Sequence, residues 1–351
     1  MKNKKLILYI AILSILAIFS FLIFRQKINT YSKTMYYLGT VNEVTLYTKS
    51  NEKEANDILN NCENIIKDID NKMNPSTLSS DIYKINENAG KSYTKVSPDT
   101  FKVIKTALHF SDLSDGHFDV SVGSLVQLWN IGNEKARVPS QDEINSVLPT
   151  INYKNIVLDE KNNSVMLKHK GTKLDLGGIA KGYGADKVVG YLKKQKIEGS
   201  IVNLGGNIFT IGSKDGKNKF NIGVQDPTKP RGNAIGSIST TDNSVVTSGI
   251  YERYIEKDGK IYHHILSPKT GYPVENELSS VTIVSNNSMN CDALSTTAFS
   301  LGTKEGLKLI ESLPNTEAIF ITKDKKIYLT PGLKDSFNLK DSTFTIQNLK
   351  K

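Results

Sequence analysis

Three segments of the 351-residue chain carry residue types and spacings suited to chemistry. The first is Asp175-Leu176-Gly177-Gly178-Ile179-Ala180-Lys181-Gly182-Tyr183-Gly184-Ala185-Asp186. Here a strand-like TKLDL enters a glycine-rich turn that opens a helix. Glycines let backbone N–H groups approach a ligand, and a helix start carries partial positive charge, so the segment can seat an anion. Tight helix–strand packing explains the same glycines, and the pattern is neither the Walker loop nor GxGxxG. The second segment is Cys291-Asp292-Ala293-Leu294-Ser295-Thr296-Thr297-Ala298-Phe299. On a helix, Asp292, Ser295 and Thr296 share one face. Their oxygens suit a hard cation such as Mg2+, completed by substrate phosphates and water; the alternative is that Asp292 caps the helix. The third covers 247–254 and 262–273, with His263 and His264 adjacent before a Pro/Gly turn. Strand faces alternate, so only one of the pair can enter a site, as an acid/base or a phosphate contact. Nothing nearby has zinc spacing. Residues 73–86 and 116–132 read by themselves as a polar loop and a core segment.

The elements that must position these residues follow a mixed pattern. Strand-like stretches cover 41–48, 155–168 (a hairpin about Asn162-Asn163), 200–212, 219–225 and 279–285. Helical spacing covers 52–72, where Ile58, Cys62, Ile65, Ile66 and Ile69 recur, then 98–113 from Ser97-Pro98, 178–195 and 291–301. Strands and helices do not alternate strictly, so the fold class is α+β, one large mixed domain over 31–351, rather than a doubly wound sheet.

Composition narrows the function classes. With 38% hydrophobic and 23% charged residues the chain is globular. The net charge is +9, but residues 1–35 contribute +6 and no acid, leaving +3 spread over the rest. That is no nucleic-acid footprint. Two cysteines, Cys62 and Cys291, make no disulfide framework. Residues 6–24 are a 19-residue uncharged apolar run, about the length needed to span a bilayer. No A-x-A-like site follows it, so residues 1–30 read as an uncleaved single-pass anchor in the cell membrane rather than a cleaved signal peptide. Basic residues flank both ends equally, and the default orientation puts the main domain outside the cytoplasm.

Taken together and in order, the segments resemble the FAD:protein FMN transferase family, ApbE. The matching blocks are FDVSVGSLVQLWNIG, DLGGIAKGYGAD, VNLGGNIF, VTSGIYERY, HHILSPKTGYPV and DALSTTAFSLG, spread over about residues 38–330. The resemblance implies a Mg2+-dependent transfer of the FMN half of FAD to a Thr or Ser hydroxyl of an acceptor protein, with AMP released. It implies Mg2+ on Asp292 and Thr296, with Ser295 alongside and the Gly178 carbonyl opposite. It implies Asp175 and Lys181 facing FAD, His117, Phe118 and Asp119 lining the nucleotide, Leu266 packed on it, and Leu38 and Ser76 near the flavin. His264 matches the family's functional histidine and, with Asp292, is the catalytic candidate. Ser267, Ser76 and Asp81 depart from the common family residues. Two rival functions are hydrolysis of FAD to FMN and AMP, and a membrane-anchored protein that holds FAD without reacting.

Overall fold

The computed structural model describes residues 27–347, together with Ile12 and Ser14. A central sheet holds nine strands side by side in chain order. They are β1 (Asn29–Tyr37), β2 (Thr40–Thr48), β3 (Gly199–Leu204), β4 (Asn207–Gly212), β5 (Ser244–Gly249), β6 (Leu278–Ser285), β7 (Thr316–Thr322), β8 (Lys326–Leu329) and β9 (Thr345–Gln347). All neighbours are antiparallel except β8 and β9, which run parallel. Within residues 27–347 the α-helices are α1 (Glu52–Met73), α2 (Asp81–Glu87), α3 (Pro98–Leu113), α4 (Gly123–Trp129), α5 (Gln141–Val147), α6 (Ala180–Leu192) and α7 (Ser288–Glu311). The architecture is the mixed, non-alternating one expected from the sequence. Among the described residues no helix is long and apolar enough to cross a membrane. The apolar run 6–24 lies outside them apart from Ile12 and Ser14.

Local patterning explains most elements. In β2 the alternate residues Asn42, Val44 and Leu46 are buried, as a strand with one covered face requires. The Asn51 side chain accepts the Glu54 N–H at 3.0 Å and starts α1; Ile58, Leu59, Cys62, Ile66 and Ile69 then form its buried stripe. Ser97 caps α3 with Pro98 in its first turn. β6 is buried at all eight positions because both faces are covered. Val281 and Ile283 pack in the cluster that holds Ala293, Leu294 and Ala298 of α7, while Val284 joins a second cluster with Ile222 and Ile238. Each buried Val, Leu or Ile side chain here contributes roughly 1.5–3 kcal/mol by leaving water.

Two stretches differ from expectation. Residues 200–212 are not one strand but the hairpin β3–β4. Gly205 and Gly206 both take positive φ, 63° and 95°, the two-residue turn whose twist suits antiparallel strands. The helix expected at 291–301 runs from Ser288 to Glu311, broken at Gly302 (φ 79°). Glu277 restarts it by accepting the Thr303 N–H at 2.7 Å.

The N-termini of α6 and α7 are capped reciprocally, each by an Asp from the second turn of the other helix. Asp186 of α6 accepts the Ser288 and Met289 N–H groups at 2.8 and 2.9 Å, and Asp292 of α7 accepts the Gly182 N–H at 2.9 Å. Both carboxylates sit where helix N–H groups are otherwise unsatisfied and the dipole favours negative charge. The approach needs glycine: a Cβ at Gly182 would lie 2.2 Å from the Ser288 carbonyl oxygen, whereas one at Gly190 on the same helix meets nothing within 4 Å. Gly182→Ala should therefore destabilise by at least about 1–3 kcal/mol, and Gly190→Ala should be neutral or stabilise by up to about 1 kcal/mol. Urea denaturation of the two variants, which should move in opposite directions or differ by that margin, checks this.

Candidate active site

The extended segment before α6 is held in place from both sides. Asn86 Oδ1 accepts the Leu174 N–H at 2.7 Å and the Val120 carbonyl accepts the Asp175 N–H at 3.0 Å. Asp175 then folds back, its Oδ1 accepting the Gly177 N–H at 2.8 Å. The turn so formed delivers Gly178 and the N-terminus of α6 to one wall of a cleft of about 400 Å³. The opposite walls come from the β1–β2 and β3–β4 turns, β5 and the 264–268 segment. His117, Phe118, Asp119, Asp175, Gly178, Lys181, His264, Leu266, Asp292 and Thr296 all line it, so segments as distant in the chain as Gly39 and Thr296 meet here. A Cβ at Gly178 would sit 3.1 Å from the Phe118 ring and 3.7 Å from Thr296 Oγ1; a glycine keeps the backbone open to both.

Lys181 Nζ donates to the Gly177 carbonyl at 2.7 Å and lies 3.6 Å from Asp292 Oδ1. One oxygen of Asp292 is therefore committed to the α6 cap while the other faces the lysine and the cleft. Burial pushes the Asp175 carboxyl up from its ordinary range, against the pull of Lys181 and Arg253. Thr296 reaches the cleft, but Ser295 does not. It is fully buried behind Thr296, donating to the Asp292 carbonyl at 2.9 Å and bonded to Ser248 Oγ at 2.8 Å. Helical spacing puts Ser295 on the right face, yet it points toward β5 rather than into the open space. Among the described residues no group of three or more His, Cys, Asp or Glu side chains is arranged to hold a metal. The donors at hand are one carboxylate, hydroxyls and a carbonyl.

The histidine pair splits as strand alternation requires. His263 turns inward, its Nε2 3.0 Å from the Val274 carbonyl and its ring edge-on to Phe299. His264 faces the cleft, with Nδ1 3.2 Å from the Arg253 carbonyl. A carbonyl only accepts, so Nδ1 carries the proton and Nε2 is left as a bare acceptor. Burial pushes His263 down to about 4, and burial with the Arg253 charge pushes His264 down to about 3. Both are neutral near pH 7. His117 is also shifted down, by burial and then Lys269.

Several expected residues hold the site without facing open space. Asp119 lines the cleft, but its oxygens accept the Ser121 N–H and hydroxyl at 2.8 and 2.6 Å and the Tyr153 N–H at 3.0 Å. Burial raises its carboxyl. Leu38 takes φ 55° and packs into the core; the neighbouring Gly39 and Thr40 form the wall. Ser76 is exposed in the 74–76 turn, outside the lining, its N–H bonded to Asn74 Oδ1 at 2.9 Å. Ser267 Oγ accepts the Lys269 and Thr270 N–H groups at 3.3 Å each. Asp81 accepts from the Ser97 N–H and the Thr100 hydroxyl at 3.0 and 2.7 Å. Ser267 thus caps its own turn, and Asp81 ties the start of α2 to the start of α3.

Among the lining residues to which sequence reasoning gave no role, four polar ones stand out. Ser248 and Arg253 fall in the 247–254 segment, and alternation along β5 was the available signal for Ser248. Asn207 lies in the matching block VNLGGNIF, and Arg231 carried no signal. Arg231 lies 3.2 Å from Glu252, and Arg253 donates to the Gly39 carbonyl at 3.2 Å. Asn207 is 1% exposed; its Oδ1 accepts from Ser288 at 2.6 Å and its Nδ2 has no partner. With Lys181, the two arginines give the cleft three cationic side chains beside a helix N-terminus, an arrangement suited to an anion.

Residues 38–320 match the ApbE family. The chain is 38% identical over 282 residues to the FAD:protein FMN transferase of Klebsiella pneumoniae (strain 342), covering 80% of this chain and 87% of the relative. It is 32% identical to the FAD:protein FMN transferase of Treponema pallidum (strain Nichols), covering 92% and 93%. Among solved structures, the ApbE protein of Thermotoga maritima superposes with a TM-score of 0.79 at 35% identity, covering 88% of this chain and 99% of that one.

The neutral histidines predict a pH dependence. Both are held below the ordinary value of 6.5. Below that pH the unfolded chain binds protons that the folded chain refuses. The stabilisation is thus complete above about 6.5 and is lost as pH falls toward the folded values. Urea midpoints measured from pH 7.5 down to 5 should decline, and His263→Asn or His264→Asn should each flatten the decline.

Proposed function

The chain belongs to the ApbE family, and on that premise we propose that it is an FAD:protein FMN transferase that depends on Mg2+. The acceptor is a Thr or Ser hydroxyl of an exported or membrane redox protein, and AMP is released. The observation that carries this reading is the coincidence of two seats in one cleft. The N-terminus of α6 with Lys181 suits an anion, and Asp292 Oδ1 with Thr296 and the Gly178 backbone suits a cation. These are all hard oxygen donors, with no sulfur or nitrogen ligand among them, and they fit Mg2+ rather than zinc. Asp292, Thr296 and the Gly178 carbonyl would hold it. Bound there, Mg2+ would neutralise pyrophosphate charge and ease departure of AMP.

In this reading the acceptor oxygen forms a bond to the FMN-side phosphorus while the bond from that phosphorus to the bridging oxygen breaks. Both charged halves of the pyrophosphate lie against the α6 N–H groups and Lys181. His264 takes the hydroxyl proton on Nε2. Its bare acceptor nitrogen is the specific reason to prefer a base over a phosphate donor, since phosphate needs a donated proton. In the empty cleft the imidazole is a weak base, and the arriving phosphate charge raises its pKa. Asp175, His117 and Phe118 border the nucleotide, with Leu266 packing on it. Asp119, Leu38 and Ser295 support those contacts from behind.

We also propose that residues 6–24 anchor the protein in the cell membrane with the catalytic domain on the extracytoplasmic side; the uncharged 19-residue run supports this.

Full-length protein mixed with FAD, Mg2+ and a Thr-bearing acceptor domain should yield an acceptor heavier by one FMN, with AMP released and both products lost on adding chelator. Free FMN with AMP and unmodified acceptor would make the protein a hydrolase, and unchanged FAD would make it a binding protein. Asp292 also caps α6, so Asp292→Asn is the cleaner variant because its amide oxygen can still accept the Gly182 N–H. Transfer should fall by about 10²-fold or more with little change in Tm, whereas Asp292→Ala should lose both activity and stability.

A further inference from the structure

Ser248, on β5, enters none of the roles above, yet it sits between two residues of the candidate metal face. Its Oγ lies 2.8 Å from Ser295 Oγ and 3.2 Å from Thr296 Oγ1. Either oxygen of each pair can donate, so the pairs taken singly leave the protons unassigned. The end of the chain assigns them. Ser295 Oγ lies 2.9 Å from the Asp292 carbonyl, which has no proton to give. The Ser295 proton is therefore spent on that carbonyl, and a hydroxyl has only one. Ser295 must then accept from Ser248, and Ser248, its own proton spent, must accept from Thr296.

We infer that Ser248 is a positioning residue for the metal site: it takes the Thr296 hydroxyl proton and leaves Thr296 Oγ1 with only lone pairs turned to the cleft. This inference rests on the metal reading of Asp292 and Thr296. A hydroxyl proton directed at a cation repels it, and a hydroxyl whose proton is held elsewhere is a ligand ready without reorientation. Hydrogen-bond partners behind a metal ligand act in this way in general, and losing one typically weakens metal affinity 10–100-fold. The chain begins on Asp292 itself, so the residue that supplies the carboxylate also sets the hydroxyl order, through its carbonyl. Thr296 Oγ1 is bonded to Ser248, and Ser295 takes the Asp292 carbonyl, so the order passes from that carbonyl through Ser295 and Ser248 to Thr296.

Mn2+ titration of the full-length protein, followed by the loss of the free-ion EPR signal, tests this without requiring turnover. Ser248→Ala should weaken Mn2+ binding about tenfold, Ser295→Ala should weaken it less, and Ser248→Thr, which keeps the hydroxyl, should restore near wild-type affinity. In the transfer assay the half-saturating Mg2+ concentration should rise in Ser248→Ala while kcat at saturating Mg2+ stays close to wild type. Wild-type Mn2+ affinity in a folded Ser248→Ala protein would overturn the inference alone. A wild-type protein that binds no Mn2+ and needs no Mg2+ for transfer would overturn the metal reading and this inference with it.

Discussion

The structure turns on the pair of carboxylates that α6 and α7 exchange. Asp186 satisfies the first N–H groups of α7 and Asp292 satisfies the Gly182 N–H of α6. Buried helix ends cost free energy unless their donors find acceptors, and here each helix supplies the other's. The exchange brings the two first turns into contact, closer than any side chain at position 182 allows. It also places the second oxygen of Asp292 at the mouth of α6, beside Lys181. The candidate cation seat and the anion seat are therefore adjacent because the helices are locked together, not because each was built separately.

Around that lock the rest of the cleft is assembled from turns. Hairpins contribute backbone at Gly39-Thr40 and Gly205-Gly206, and Arg253 ties the first of these to the turn that follows β5. Polar side chains that look functional in the sequence stabilise these connections. Asp119 closes the 118–121 turn, Ser267 caps the turn before Gly271, and Trp129 donates to the Gly271 carbonyl at 2.8 Å from full burial. A cleft walled by turns needs each turn fixed, since a mobile loop would lose the positions of the oxygens and N–H groups it presents.

The electrostatic character of the site follows from selective neutralisation. Asp119 has its oxygens occupied and its carboxyl raised by burial, Arg231 is balanced by Glu252, and His263 and His264 are neutral. What remains facing the open space is Lys181, one oxygen of Asp292, the Thr296 hydroxyl, part of Arg253 and the bare Nε2 of His264. These groups are preorganised, so a charged substrate meets fixed dipoles rather than solvent that must reorient.

Much of this was legible in the sequence. Residues 175–186 and 291–299 announced a glycine-rich helix start and an oxygen-bearing helix face, and period-two alternation correctly allowed one histidine of the pair into a site. Local pattern carries such facts because the backbone period decides which side chains share a face. The sequence left open whether Asp292 caps a helix or serves a cation. The tertiary structure assigns the cap to a helix other than its own and turns the second oxygen to Lys181 and the cleft, which no local rule can express. It alone decided that Ser295 is buried while Thr296 is not, that Leu38 and Ser76 stand off the cleft, and that Ser248, Asn207, Arg231 and Arg253 stand in it. Those outcomes depend on which element lies across from each residue, and contacts between segments a hundred or more residues apart are set by packing of the whole sheet and its helices rather than by neighbouring residues.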